Sequence, residues 1–169
     1  ESSVCKTIEK FQKIDILVNN AAQLILHSSL METNLDDFHQ TMKSNVRSVM
    51  VLTKLAIPHL KKTKGKVVNV SSISPDINAS KYLPYTISKA AIDQLTKCTA
   101  LEFASSGVRI NGVKPGHIVT NIRKQSGETA ADCESFYKTL ADKYPLKRVG
   151  QSEDVANVIG FLASDLSSF

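Results

Sequence analysis

Residues 66–72 read KVVNVSS, a β-branched apolar run that stops abruptly at two serines. Valine is stiff at χ1 and packs well on a pleated surface. A short continuous apolar run bounded by turn residues is the pattern of a strand buried on both faces. Two other stretches share this form, IDILVN at residues 14–19 and VRINGV at residues 108–113.

The segments between them carry a helical period. Val46, Val49, Met50, Thr53, Ala56, Ile57 and Leu60 recur at steps of three and four, with Pro58 expected to kink the last turn. Ile87, Ala90, Ala91, Leu95, Cys98 and Leu101 do the same, and Gly107 stands where a helix would stop. Near the end, Ser152 reads as a cap, Glu153 and Asp154 as an acidic first turn, and Val155, Val158, Ile159 and Leu162 as one apolar face. Residues 2–12 read as a helix leading into the first strand. Strand alternating with helix predicts an α/β fold with a parallel sheet. Neither a repeat nor a Gly/Pro-rich linker divides residues 1–169, so one domain, or part of one, is expected. Three parallel strands with an open edge would be poorly buried, which points to a larger sheet.

Composition narrows the function classes. The chain is 42% hydrophobic and 22% charged, as ordinary globular proteins are. No apolar run approaches the ~20 residues of a membrane span, so no membrane partner is expected. The net charge of +5 is densest at Lys61, Lys62, Lys64 and Lys66. No aromatic stacking residues are interleaved there, so it reads as a solvated turn and not a nucleic-acid surface. Cys5, Cys98 and Cys133 are odd in number and far apart, which suggests reduced thiols and a cytoplasmic setting. His27, His39, His59 and His117 lack metal-ligand spacing and read as surface or capping residues, so no metal site is expected.

In an open parallel sheet, ligands bind beyond the carboxyl ends of the strands. Those ends carry NNAA at residues 19–22, SSIS at residues 71–74 and KPGHIVT at residues 114–120. A helix beginning near YTISK, residues 85–89, would bring Tyr85 and Lys89 onto one face, a turn apart. An ammonium beside a phenol favours the phenolate and makes an acid or base of a group that ordinarily titrates near 10. Tyr82 is a rival, but Thr86, not a lysine, lies one turn later. Ser71 and Ser72 also compete, and the period of a strand sends them to opposite faces.

Taken in order, DILVNNAA, KSNVRS around Asn45, VVNVSS, YTISK and VRINGVKPGHIVT resemble the short-chain dehydrogenase/reductase family over nearly the whole chain. Ser72 precedes Tyr85 by the family's spacing. The resemblance implies a partial Rossmann-type doubly wound parallel sheet, with the visible strands as its fourth to sixth and the amino-terminal half absent. It implies an oxidoreductase moving a hydride between NAD or NADP and a secondary alcohol or ketone, because no side chain can supply a hydride. Tyr85 would be the general acid or base. Lys89 would lower its pKa and hold the nicotinamide ribose, Ser72 would position the substrate oxygen, and Asn45 would hold a water for proton relay. Asn19, Ala21, Pro115, Gly116, Ile118 and Thr120 would line the cofactor, together with Tyr85 and Lys89. The family is usually homo-oligomeric, commonly tetrameric, and the outward faces of the two long helices are apolar enough to allow it.

Two departures matter. Ala22 stands where the family commonly has glycine, adding one methyl near the adenosine site. The family's Gly-rich pyrophosphate loop and the acidic or basic residue that chooses NAD or NADP are not among these residues. The chain is therefore expected to be a fragment lacking roughly 70 to 90 residues of βαβ structure at its start, and short of a final strand at Phe169. On that expectation it binds NADH or NADPH weakly alone and exposes apolar surface. A catalytically silent or incomplete relative is the alternative. Residues 121–147 are expected to cover the substrate with Ile122, Phe136, Tyr137, Leu140 and Tyr144 among polar groups such as Ser126 and Glu128. That mixture leaves an acyl chain, a steroid and a sugar-derived ketone open, as in the similar 3-oxoacyl-carrier-protein reductases and hydroxysteroid dehydrogenases.

Overall fold

The computed structural model describes residues 2–26 and 30–168. Glu1, His27 and Phe169 fall outside the described residues. Helix α1 (Ser2–Phe11) leads into strand β1 (Ile16–Asn19). Helix α2 (Leu35–Met42) is capped by Asn34, whose side chain accepts the Asp36 N–H. It passes through a π-helical turn at Lys43–Arg47 into α3 (Ser48–Thr63). Strand β2 (Lys66–Val70) follows, then α4 (Leu83–Phe103) and β3 (Arg109–Val113). Two helices unmarked in the sequence, α5 (Ile122–Gln125) and α6 (Ala130–Lys143), precede α7 (Ser152–Ala163).

The three strands form one parallel sheet in the order β1-β2-β3, with Ile16 beside Lys66 and Lys66 beside Arg109. The three runs read from sequence are the three strands, trimmed by a residue or two at their ends. Helices α3 and α4 contribute to a core with Ile14, Ala56, Ile57, Leu60, Val67, Val108 and Ile110, against which Val4, Ile8 and Phe103 pack. Helix α7 lies against β2 and β3. Val67 and Val68 are both sealed, as a strand covered on two faces requires. Ile16 and Val18 of β1, which pairs with β2 alone among the described strands, are instead exposed.

Glycine is required at two places. A Cβ on Gly65 would sit 2.5 Å from the Asp15 carbonyl oxygen, so the turn into β2 closes only on a bare backbone. Gly107 has φ 75° and stops the chain after α4, as its position suggests.

Helix α3 runs through Pro58 to Thr63. One local expectation needs correction. Ser152 is the first helical residue and not the cap. The Asp154 carboxylate reaches back to the Gln151 N–H at 2.7 Å, so Gln151 takes the capping position. On α4 the apolar period marks an outward side. Ile87, Cys98 and Leu101 face outward, while Pro84, Ser88, Lys89 and Ile92 are buried. The inward face is polar because Ser88, Lys89 and Thr96 all make hydrogen bonds to neighbouring elements.

No disulfide occurs among the described residues: Cys5 and Cys98 are exposed and Cys133 is buried. None of the described helices is long and apolar enough to cross a membrane, and no metal-binding cluster occurs among the described residues.

Candidate active site

A cleft of about 540 Å³ opens beyond the carboxyl ends of the three strands. Val18, Asn20 and Ala22 border it after β1, Val70 to Ser74 after β2, and Pro115 to Ile118 with Thr120 after β3. Tyr82, Tyr85 and Lys89 enter it from the loop before α4 and from its first turns. Arg123, Phe136 and Tyr137 cover it from α5 and α6.

The serine pair sorts by geometry. Ser71 Oγ donates to the Lys89 carbonyl at 3.1 Å, locking the end of β2 to α4. Ser72 Oγ accepts the Ser74 N–H at 3.1 Å and turns to Tyr85. Burial pushes the Tyr85 phenol above its ordinary value, and the Ser72 hydroxyl pulls it part of the way back.

Lys89 behaves differently from the expectation. Its side chain is 3% exposed, and its Nζ donates to the Val70 carbonyl at 2.7 Å, 5.4 Å from the centre of the Tyr85 ring. Burial lowers its pKa to about 8, against a smaller opposing pull from Asp93. Burial and then the Ser72 hydroxyl dominate the Tyr85 pKa in this arrangement. Its ammonium is spent on a backbone carbonyl at the foot of the cleft.

Asn45 sits at the centre of the π turn, where an extra residue in the helix re-aims the side chain inward. Its Nδ2 donates to the Gln23 carbonyl at 2.9 Å and to Ser88 Oγ at 3.1 Å, and its Oδ1 accepts the Gln23 N–H at 2.9 Å. Ser88 Oγ in turn donates to the Tyr85 carbonyl at 2.7 Å. Both amide hydrogens are committed, so a water could be held only through the remaining lone pair on Oδ1.

Of the residues expected to line a cofactor, Pro115, Gly116, Ile118 and Thr120 border the cleft, but Asn19 and Ala21 do not. Asn19 is buried below the sheet end and donates through Nδ2 to Asn69 Oδ1 at 2.8 Å and Thr53 Oγ1 at 3.2 Å. The neighbours Asn20 and Ala22 take the lining positions, because alternation along β1 turns Asn19 toward α3.

Tyr82 lines the cleft and accepts from Arg123 Nη1 at 3.1 Å. Arg123, unmarked in the sequence, forms a bidentate pair with Glu128 and stacks 3.6 Å from the Phe136 ring centre. Burial works against its charge, and Glu128 and Tyr82 outweigh that. His117 is likewise not a surface residue. Its Nδ1 lies 2.6 Å from Tyr144 Oη, its ring meets Phe136 edge-on, and burial and then Arg123 hold its pKa down. The only sequence signal for this cover was its aromatic content.

The cleft residues suit the nicotinamide end of a dinucleotide. A buried ammonium paired only with a carbonyl oxygen can turn to ribose hydroxyls, and the backbone of residues 114–120 runs along the cleft beside it.

The family model for enoyl-(acyl carrier protein) reductase matches residues 1–169. The chain belongs to the short-chain dehydrogenase/reductase family. Among relatives in that family, the L-fucose dehydrogenase of Bos taurus is 36% identical over 96% of this chain and 60% of its own length. The 7alpha-hydroxysteroid dehydrogenase of Clostridium sardiniense is 37% identical over 99% of this chain and 63% of its own. A Caenorhabditis elegans short-chain dehydrogenase/reductase of unknown function, solved with cofactor, superposes with a TM-score of 0.90 at 38% identity. It is matched over 98% of this chain and 64% of its own length. Solved family members carry NADP in one case and NAD+ in another. The chain thus spans about 60% of the length of the curated relatives it matches, and the fold is the corresponding part of a Rossmann-type sheet.

Proposed function

We propose that the protein is an NAD(P)-dependent oxidoreductase that interconverts a secondary alcohol and a ketone, with Tyr85 as the group that moves the proton. The observation that carries this reading is the convergence of Ser72, Tyr85 and Lys89 on one wall of a cleft at the strand ends. The names of the relatives support it, since they include dehydrogenases of a sugar and of a steroid alcohol.

A nicotinamide bound in the cleft would supply the hydride in reduction and take it up in oxidation. Asn19, Ala21, Pro115, Gly116, Ile118 and Thr120 are the residues proposed to hold it, Asn19 and Ala21 by shaping the strand end beneath the lining. In reduction, the Tyr85 hydroxyl donates its proton to the carbonyl oxygen as that oxygen gains negative charge. Ser72 orients the oxygen, and its hydroxyl stabilises the phenolate left behind. Lys89 adds positive charge close to that phenolate and holds ribose hydroxyls. Asn45 keeps the helix turn behind Tyr85 in place and offers Oδ1 to a relay water. Oxidation reverses each proton movement. The same reading takes residues 1–169 as one partial domain of a cytoplasmic homo-oligomer, with the outward side chains of Met50 and Leu101 available for assembly.

The test is turnover by the full-length protein with NADH and NADPH, and with the oxidised forms, against a panel of aldoses, hydroxysteroids and 3-oxoacyl thioesters. Consumption or production of reduced nicotinamide with at least one class is expected. Binding of either dinucleotide with no turnover across the panel would favour a catalytically silent relative.

A further inference from the structure

Three of the four residues after β2 are serines, and they are not equivalent. Ser71 Oγ is committed to the Lys89 carbonyl. Ser72 Oγ is committed to the Ser74 N–H and to Tyr85. Ser74 is 6% exposed, borders the cleft, and its Oγ has no hydrogen-bond partner among the described residues. Leaving a buried hydroxyl unpaired costs about 1–3 kcal/mol, so such a group in a cleft wall calls for a partner from the ligand. Thr41 Oγ1 is also buried and unpaired but lies outside the cleft.

The loop bearing Ser74 is not slack. The Asp76 and Ile77 N–H groups donate to the Ile73 carbonyl at 2.9 and 3.2 Å, and the Ala79 N–H donates to the Ser74 carbonyl at 3.4 Å. The Ser74 nitrogen is itself tied to Ser72 Oγ at 3.1 Å. Only Cα and Cβ separate the Ser74 hydroxyl from that nitrogen, so it stands beside the place where Ser72 and Tyr85 meet the reacting oxygen. Ile73 and Ile77 of the same loop also border the cleft. A neutral hydroxyl there has one hydrogen to donate and lone pairs to accept with, which matches a hydroxyl or ring oxygen.

We propose, resting on the oxidoreductase reading, that Ser74 is a specificity-determining residue. It binds a second oxygen on the carbon next to the one that reacts. The substrate class is then a vicinal diol or α-hydroxy ketone, as in a polyol or sugar, in preference to an alcohol flanked by methylenes. A flanking methylene leaves the Ser74 hydroxyl unpaired in the bound state, whereas a flanking hydroxyl satisfies it.

The experiment compares kcat/KM of the full-length protein on cyclohexane-1,2-diol and on cyclohexanol, for the wild type, Ser74→Ala and Ser74→Thr. The wild type is expected to prefer the diol about tenfold or more, as one net hydrogen bond allows. Ser74→Ala should lose that preference through the diol alone, with the monoalcohol changed less than about threefold, and Ser74→Thr should restore part of it. An equal loss on both substrates would mean a structural role and would overturn the proposal. So would an unchanged preference in Ser74→Ala, or a wild type that does not prefer the diol. If the wild type turns over a steroid or thioester from the wider panel but neither cyclohexane compound, this proposal falls and the oxidoreductase reading stands.

Discussion

On one side of the cleft, Ser72 stands just after β2 and Tyr85 and Lys89 stand on α4, where sheet pairing, helix turns and the bonds from Ser71, Ser88 and Lys89 fix them to one another. On the other side, residues 114–144 reach over the cleft on short helices. They are held by the Arg123–Glu128 pair, the Arg123 contact with Tyr82, the stack on Phe136 and the His117–Tyr144 bond. The first wall is built from regular backbone with few alternatives. The second depends on side chains that bond to one another. A wall of the first kind suits proton transfer, which needs fixed geometry. A wall of the second kind suits selection and closure over a substrate.

Short of removing Tyr85 itself, the largest effect is expected at Lys89. Its ordinary value of 10.5 falls to about 8 by burial, so folding disfavours its charge. The sign follows from proton counting. Between pH 8 and 10.5 the unfolded chain holds a proton that the folded chain has released, so stability rises with pH across that window. Below pH 8 the folded state carries the full penalty, about 3 kcal/mol at roughly 1.4 kcal/mol per pH unit. Lys89→Met should therefore stabilise the protein at pH 7 by up to about 3 kcal/mol while abolishing most turnover. Its advantage should fade as pH rises toward 10.5. Urea unfolding of both proteins at pH 7 and pH 10 reads this directly, and a destabilised variant at pH 7 would show that the Val70 bond outweighs burial.

A smaller effect is expected on the opposite wall. Arg123→Ala leaves Glu128 without its cation and frees Phe136 and Tyr82. It should raise KM about tenfold with a lesser change in kcat, and speed amide exchange in residues 122–144. Equal losses in kcat and kcat/KM would place Arg123 with the chemistry and erase the distinction between the walls. The smallest effect is expected for Tyr82→Phe, which removes one bond to Arg123 and should change kcat less than about threefold.

How much was legible follows the same division. KVVNVSS, IDILVN and VRINGV announced their strands because short β-branched runs bounded by turn residues leave a clear composition, although Ile16 and Val18 of the first strand are exposed. YTISK announced its helix face because four-residue spacing fixes it. Asn45 was legible as a position, but the π turn that aims it was not, since Lys43 to Arg47 differ little in propensity from the helices on either side. On α4 the inward face is polar, so apolar periodicity there marks the outward side, and Ser88 and Lys89 carried no period by which their burial could be read. Arg123, His117 and Ser74 were not legible as a group. Their roles arise from contacts between distant segments, and an arginine, a histidine and a serine in turn-rich sequence carry no period to read. The pull of Lys89 on Tyr85 was expected from spacing alone; in the fold burial acts first on both groups, raising Tyr85 against the pull of Ser72 and lowering Lys89 against that of Asp93.

The two tyrosines of the cleft give the most direct test, because Tyr82 and Tyr85 border the same space and only one is assigned the proton. Saturating turnover of the full-length protein should be measured for Tyr85→Phe beside Tyr82→Phe, with nicotinamide binding checked in both. The account predicts that Tyr85→Phe lowers kcat by about 10²–10⁴-fold, the usual worth of a general acid, with cofactor binding retained and Tyr82→Phe close to wild type. Near-normal kcat in Tyr85→Phe, or the large loss appearing in Tyr82→Phe, would contradict it.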